Sequence, residues 1–210
     1  MRPPPVTAGT QRRHVLSWAV LAAWLAATAL AFWWFQGRWQ QPFAADFRPY
    51  AALAQQPELP APLQHALRSG TTERRRAVVV DFRDPRCPCT RFNQPHRERI
   101  AAQFAARGVD FITIDPASNP ELLLNVQRWL PIPASPAAMV FDDEGRLTYF
   151  GPYSVGVGCL TGAGNYVERA LENTIAGRHA VQLNLLESGC YCPWPAAGNG
   201  ATTQSGAGTL

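Results

Sequence analysis

Five cysteines are the residues of this sequence whose type and spacing could do chemistry. Four of them form two Cys-x-Cys pairs, Cys87 with Cys89 and Cys190 with Cys192, and Cys159 stands alone. Cysteine thiolates attack disulfides and bind soft metals. In a chain that crosses a membrane, such pairs indicate redox or metal chemistry in an oxidising compartment.

The first pair follows a predicted buried strand and begins a predicted helix. Cys87 precedes Pro88, a residue favoured in the first turn of helices. The unpaired N–H groups and positive end of the helix stabilise a thiolate, and the neighbouring Arg86 favours the same charged form. We therefore expect Cys87 to be an exposed nucleophile. Cys89 is its nearest partner, and a bond between residues two apart approaches the limits of disulfide geometry and should be easily reduced.

The other cysteines leave several pairings open. Cys190 and Cys192 lie beyond the last predicted helix, in a segment that we expect to be mobile. They form a second redox pair, a resolving pair that reaches Cys87, or a local structural disulfide, with or without Cys159 as a third partner. Cys159 lies in a glycine-rich insertion over residues 156–164, where it could resolve Cys87 or have no role.

The N-terminal part of the chain predicts a membrane span. Residues 15–35 contain no charge, and about 20 helical residues cross the hydrocarbon core of a bilayer. Three arginines precede this run, and this bias favours an N-terminus inside and the rest of the chain outside. In a bacterium, outside is the periplasm. Residues 27–29, Ala-Thr-Ala, could be a cleavage site, but the aromatic residues that end the run favour a retained helix at the membrane interface.

Charge excludes one class of partner. The net charge is +4, and all 19 basic residues are arginines that are scattered among acidic residues. No patch for nucleic acid is formed, and we expect none as a partner.

Hydrophobic periodicity gives the order of the remaining elements. Strands are predicted at 77–82, 109–115, 137–142 and 146–150, and helices at 91–107, 121–130 and 166–175. The chain is thus expected to comprise a short basic tail (1–14), a transmembrane helix (15–35), a linker (36–73), an α/β domain (74–178) and an extension (179–210) with a disordered end.

Several markers in these elements resemble the thioredoxin fold. Val80-Asp81-Phe82 resembles the end of the central strand in that family, and Cys87 follows at the spacing of the nucleophilic cysteine. Pro95 matches the proline of the active-site helix, and Ser135-Pro136 matches the cis-proline before the fourth strand. The resemblance implies a mixed central sheet flanked by helices, and a thiol–disulfide oxidoreductase without a cofactor.

The resemblance also implies roles for particular residues. The backbone at Ser135 and cis-Pro136 should pair with an incoming substrate strand. Asp81 would be a buried proton relay, although an acid that caps a loop is an equal alternative. The sequence departs from the family at Thr90, which occupies the position of the resolving cysteine. The whole chain resembles an uncharacterised group of membrane-anchored bacterial thioredoxin-like proteins.

The leading hypothesis is a periplasmic exchange protein anchored in the inner membrane, with Cys87 and Cys89 as the catalytic pair and protein thiols or disulfides as partners. A metallochaperone-like protein that binds copper(I) or zinc is the main alternative. His96 would be the nearest histidine, but we expect it to face solvent and assign no metal ligand. A redox-inactive scaffold is the third possibility, because a fold does not determine a function.

Overall fold

A computed structural model describes residues 8–54, 58–61, 64–65, 75–118, 120–153 and 166–194. The chain divides into two compact units, residues 1–39 and 40–210. The glycine-rich insertion with Cys159 and the C-terminal residues 195–210 lie outside the described residues, so the predictions for them stay predictions.

The first unit contains a single described helix, α1 (Ala8–Trp39). Its stretch His14–Trp34 has 21 residues with a mean hydropathy of 2.0 and no buried side chains. By length and composition this stretch is apolar enough to cross a membrane. The helix also includes residues 8–14, which the sequence assigned to the short basic tail.

The second unit is built on a five-stranded mixed sheet. Its strands are β2 (Ala77–Phe82), β3 (Val109–Ile114), β5 (Ala137–Asp142), β6 (Leu147–Pro152) and β7 (Gln182–Leu183), in the order β3-β2-β5-β6-β7. Strand β2 runs parallel to β3 and antiparallel to β5. The helices are α2 (Pro88–Ala105), α3 (Pro120–Trp129) and α4 (Tyr166–Ile175). This arrangement confirms the thioredoxin-like fold.

Alternation along β2 produces a core on each face of the sheet. Ala77 and Val79 pack with residues of α2 and α4, whereas Val78, Val80 and Phe82 pack with residues of α3 and with two segments outside the predicted domain. Successive side chains of a strand point to opposite faces, so a continuous apolar run is the pattern of a strand covered on both sides.

One of the two outer segments comes from the predicted linker. Strand β1 (Gln40–Pro42) and a 3₁₀ helix (Arg48–Ala54) lie there. Phe43, Tyr50 and Leu53 are buried against the sheet, and the Tyr50 hydroxyl donates to the Pro131 carbonyl at 2.9 Å. This part of the chain is therefore packed and is not a free spacer, because three large apolar side chains remove their surface from water here.

The other segment is the C-terminal extension. It forms β7, β8 (Ser188–Cys190) and β9 (Cys192–Pro193), and it buries Leu185, Tyr191 and Trp194. Strand β8 pairs with β1, and β9 pairs with β4 (Ala134–Ser135). The expected mobile segment is thus held on both sides by backbone pairing.

Candidate thiol site

The four paired cysteines meet in one place. Cys87 is bonded to Cys192 and Cys89 to Cys190, each with Cα atoms 5.9 Å apart. The expected bond between Cys87 and Cys89 is not formed. Of the pairings that the sequence left open, the structure contains the one in which the pair Cys190 and Cys192 reaches Cys87.

The spacing of each pair explains how two parallel bonds form. Cys87 has extended backbone and immediately precedes α2, whereas Cys89 lies in the first turn of that helix. Cys190 and Cys192 lie two apart in an extended segment, where alternate side chains point to the same side. One side of the segment therefore presents both sulfur atoms to the start of the helix.

Cys87 is less exposed than the sequence indicated. Cys87 is 2% exposed, and its Sγ lies 3.7 Å from the carbonyl oxygen of Ser135. The cause is the C-terminal segment, which covers the start of α2. Cys192 and Cys190 are only partly buried, so solvent reaches the site from their side.

The charge beside Cys87 also differs from the expectation. The carboxylate of Asp84 accepts hydrogen bonds from the backbone N–H of Arg86 at 2.9 Å and from its guanidinium Nε at 3.1 Å. Because Arg86 is paired with this acid, its charge is largely compensated. The start of α2 is the remaining feature that favours a thiolate at Cys87.

A serine hydroxyl holds the loop before β5 in place. The bond between Ser135 and Pro136 is cis, as the sequence predicted. Ser135 Oγ accepts from the backbone N–H of Asp84 at 2.9 Å and lies 3.1 Å from Thr90 Oγ1. Thr90, at the position of the family's resolving cysteine, thus ties helix α2 to the cis-proline loop.

The backbone edge at Ser135 is already paired. In the antiparallel pair of β4 and β9, Ser135 is the partner of Cys192 and Ala134 is the partner of Pro193. Beyond β9, the backbone N–H of Trp194 donates to the Pro133 carbonyl at 3.2 Å. The predicted docking edge for substrate is therefore occupied by the chain itself.

Asp81 is buried as expected, next to two arginines. Its carboxylate Oδ2 accepts from Arg97 Nε and lies 3.9 Å from Arg83 Nε. Burial raises the pKa of Asp81 to about 6, and the two arginines oppose the shift. A small cavity is lined by Asp81, Thr90, Arg97, Pro136 and Tyr153. The proton relay stays a prediction.

His96 corrects a sequence expectation. It is 7% exposed, because it belongs to the buried side of α2, which comprises residues 89, 90, 93, 96, 100 and 104 at helical spacing. Phe92 lies outside this stripe and is 54% exposed. The Nδ1 atom of His96 lies 2.6 Å from Arg99 Nη2, and burial lowers the pKa of the imidazole.

Tyr191 and Trp194 are site residues that the sequence interpretation missed. Tyr191 packs edge-on against Phe43 with ring centroids 5.4 Å apart, and Trp194 packs edge-on against Phe82 at 5.9 Å. The signal was the alternation of cysteines with aromatic residues in Cys190-Tyr191-Cys192-Pro193-Trp194. Large aromatic side chains are costly to leave in water, so such a segment should pack.

Several solved structures are similar to part of this chain. An uncharacterised conserved protein from Geobacillus kaustophilus is 21% identical over 57% of this chain and 78% of its own, with a TM-score of 0.42. A hypothetical protein from Sinorhizobium meliloti is 20% identical over 59% and 82%, with a TM-score of 0.44. The oxidised mitochondrial thioredoxin 3 of Saccharomyces cerevisiae is 19% identical over 55% and 89%, with a TM-score of 0.36.

These similarities concern the fold alone. No curated protein matches the chain significantly. A model of one protein family, a domain of unknown function, matches residues 56–194, which is more than half of the chain and includes all four bonded cysteines. The chain therefore belongs to the DUF6436 family.

Proposed function

We propose that this chain is a membrane-anchored thiol–disulfide exchange protein of the bacterial periplasm, in which Cys87 is the nucleophile and Cys192 resolves. The observation that carries the proposal is the bond from Cys87, at the start of α2, to Cys192, which lies opposite Ser135 beside the cis-proline. A sulfur at a helix start, next to a backbone edge that accepts a strand, is an arrangement suited to exchange with a peptide disulfide.

Reduction begins at the sulfur that solvent can approach. The thiolate of a donor dithiol attacks Cys192 Sγ, forms a mixed disulfide there and breaks the bond to Cys87. Cys87 leaves as a thiolate, which the N-terminus of α2 stabilises, and a stable thiolate is a fast leaving group. The second thiol of the donor then attacks the donor sulfur that is bonded to Cys192. This attack releases Cys192 as a thiolate and leaves the donor with a disulfide.

Transfer to a substrate follows the same chemistry. The Cys87 thiolate attacks a substrate disulfide, forms a bond to one sulfur and expels the other as a thiolate. The Cys192 thiolate then attacks Cys87 Sγ, which restores the bond between these two cysteines and frees the substrate. Two electrons pass from the pair of protein thiols to the substrate disulfide, and the reverse sequence would oxidise a substrate dithiol.

The second bond has a different role in this proposal. Cys89 is 2% exposed and bonded to Cys190, one residue before the buried Tyr191. We assign this bond to holding the C-terminal segment near the site while Cys192 exchanges. Cys89, which the sequence favoured as a catalytic partner of Cys87, would thus be a structural cysteine.

Trapping in cells tests the assignment. Full-length variants that also carry Cys159→Ser confine the chemistry to the four bonded cysteines. We expect Cys192→Ser to accumulate mixed disulfides with other proteins, and additional Cys87→Ser to remove them. Cys190→Ser is the matched control, since it leaves the bond between Cys87 and Cys192 intact and should trap far less through Cys87. Equal trapping by Cys190→Ser and Cys192→Ser would refute Cys192 as the resolving cysteine.

A soft metal site is the second candidate function. Among the described residues, the Sγ atoms of Cys87, Cys89 and Cys192 lie within 4.8 Å of one another. Three thiolates at this separation can bind zinc or copper(I) once both disulfides are reduced. Because the same thiolates would serve both functions, a chain that holds a metal ion could not exchange disulfides at the same time.

Metal titration tests this candidate. The reduced full-length chain in detergent is titrated with zinc or with copper(I) against a coloured chelator. One metal ion bound per chain, and lost in Cys87→Ser/Cys89→Ser, would support the site. Binding that is weak and unchanged in this double variant would remove it.

A further inference from the structure

The C-terminal segment occupies the site in the manner of a bound substrate. Cys192 lies opposite Ser135 in an antiparallel backbone pair, and its sulfur is bonded to Cys87. A peptide that docked on this edge and was attacked by Cys87 would form the same two connections. The bond between Cys87 and Cys192 is thus the intramolecular equivalent of a mixed disulfide with a substrate.

An aromatic side chain completes this occupation. Trp194 follows Cys192 by two residues, is 6% exposed and packs edge-on against Phe82. Its backbone N–H donates to the Pro133 carbonyl, which continues the strand pairing past Pro193. The edge therefore accepts an extended segment together with a large aromatic group two residues after the cysteine.

The part of the segment before Cys192 is attached independently. Cys190 pairs with Gln40 in the antiparallel sheet of β1 and β8, and the buried Tyr191 packs against Phe43. These contacts do not involve β4, so residues 192–194 can leave the docking edge while residues 188–191 stay in place. Tyr191 would then be the fixed point about which the end of the segment moves.

We propose that residues 192–194 are a tethered substrate mimic, and that their place is taken by extended cysteine-containing segments of other proteins with an aromatic side chain two residues after the cysteine. This inference rests on the proposed exchange function and adds its substrate class. Displacing Trp194 exposes the apolar surface around Phe82. An incoming aromatic group covers that surface again, whereas a small side chain leaves it in water.

The sequence of bond changes follows from the proposed exchange. After a donor dithiol has reduced the bond between Cys87 and Cys192, residues 192–194 leave the edge and the substrate strand pairs with β4. Cys87 attacks one sulfur of the substrate disulfide, and the other sulfur of that disulfide leaves as a thiolate. The return of residues 192–194 brings the Cys192 thiolate back to Cys87 Sγ, and the attack releases the substrate with both of its sulfurs reduced.

Peptide kinetics test the inference. The full-length Cys159→Ser/Cys192→Ser chain in detergent, in which Cys89 and Cys190 stay bonded and Cys87 is the free thiol, is mixed with acetyl-Ala-Cys-Pro-Trp-amide or acetyl-Ala-Cys-Pro-Ala-amide. Each peptide carries a nitrothiobenzoate group on its cysteine, and the release of this coloured group measures the rate. We expect the tryptophan peptide to react about tenfold faster or more, the effect of burying one large apolar side chain. Cys87→Ser should remove the difference.

A second variant examines the competition by the chain itself. Trp194→Ala removes the occupant of the apolar surface and should raise the rate for both peptides several-fold. Trp18→Ala, in the exposed part of α1, is the matched control and should change neither rate. Unchanged rates in Trp194→Ala would refute the claim that Trp194 competes with substrate.

The remaining outcomes separate the two proposals. Equal rates for the two peptides in the presence of Cys87-dependent release would overturn the inferred substrate class and leave the exchange function standing. Absence of Cys87-dependent release from either peptide would overturn both.

Discussion

Cys192 and Ser135 face each other across a two-residue antiparallel pair, and this relationship places a resolving sulfur beside the edge that would receive a substrate. The pair joins the end of the chain to the loop that precedes β5. Everything that the site does in our proposal depends on whether this pair opens and closes with the redox state of Cys87.

The two disulfides should stabilise the fold in a strongly non-additive manner. They span sequence separations of 105 and 101 residues, but once one is formed the other closes only a short loop. Because the entropy gained depends on loop length, we expect either pair of serine replacements alone to cost much less than all four together, which should cost about 5 kcal/mol or more. Thermal unfolding of the full-length wild type, the two double variants and the quadruple variant would measure this, and additive losses would contradict it.

Asp81 should make stability depend on pH. Its pKa in the folded protein is about 6, above the ordinary 3.8, so the folded state holds the proton more tightly than the unfolded state. The stabilisation is complete below about pH 4 and is lost as the pH rises through 6, by up to about 3 kcal/mol. Asp81→Asn should flatten this dependence in unfolding experiments from pH 4 to 7.5. The exposed Asp143→Asn is the control, and the same pH profile in Asp81→Asn and wild type would refute the shift.

Gly189 should be required for the position of the C-terminal segment in which residues 192–194 lie on the edge of β4. A Cβ atom at this position would lie 2.7 Å from the hydroxyl oxygen of Tyr191 and 2.8 Å from its Cζ. We expect Gly189→Ala to displace the ring, to destabilise the protein by about 1–3 kcal/mol and to accelerate reduction of the bond between Cys87 and Cys192. Ser188→Ala, at the exposed neighbouring residue, should leave the reduction rate unchanged. A reduction rate equal to that of wild type in Gly189→Ala would contradict this role.

Thr90 should be convertible into a second resolving residue. It lies in the first turn of α2, three residues after Cys87, and its hydroxyl contacts Ser135 Oγ at 3.1 Å. In a chain with Cys159→Ser and Cys192→Ser, we expect Thr90→Cys to form a bond with Cys87 and to suppress trapping of other proteins. Thr90→Ser keeps the hydroxyl and should still trap. A free thiol at both Cys87 and the new cysteine under oxidising conditions would refute this expectation.

The first unit should anchor the chain. The stretch His14–Trp34 has the length and hydropathy of a membrane span. In bacteria, we expect the full-length chain to stay with the membrane during alkaline carbonate extraction, and a reporter active only in the periplasm to be active when fused after residue 194. Extraction into the soluble fraction or an inactive fusion would contradict the anchored, periplasmic arrangement.

Four of the five strands of the central sheet could be predicted because their signals are local, whereas β7 lies in the segment that was expected to be an extension. The strand ranges 77–82 and 137–142 and the helix range 166–175 agree with β2, β5 and α4 to the residue. The cis-proline and the buried Asp81 followed from the resemblance. Each of these features depends on a few residues that are adjacent in sequence.

The arrangement of the four bonded cysteines and the C-terminal segment could not be predicted in the same way. The partners of Cys87 and Cys89 lie about 100 residues away, and spacing alone allows several pairings. Tyr191 is buried by its contact with Phe43, a residue of the predicted linker. Strand β9 forms only because the loop at Ser135 offers it a backbone edge. Tertiary contacts between distant segments decide these features.

Disulfide mapping of the full-length protein, purified with its thiols blocked and without reductant, tests the central claim most directly. Cleavage after arginine releases residues 87–91 as one peptide and separates it from the peptide that carries Cys190 and Cys192. We expect the two peptides to be joined, and Cys89→Ser/Cys190→Ser to keep them joined through Cys87 and Cys192. A peptide 87–91 that carries an internal bond between Cys87 and Cys89 would contradict the claim.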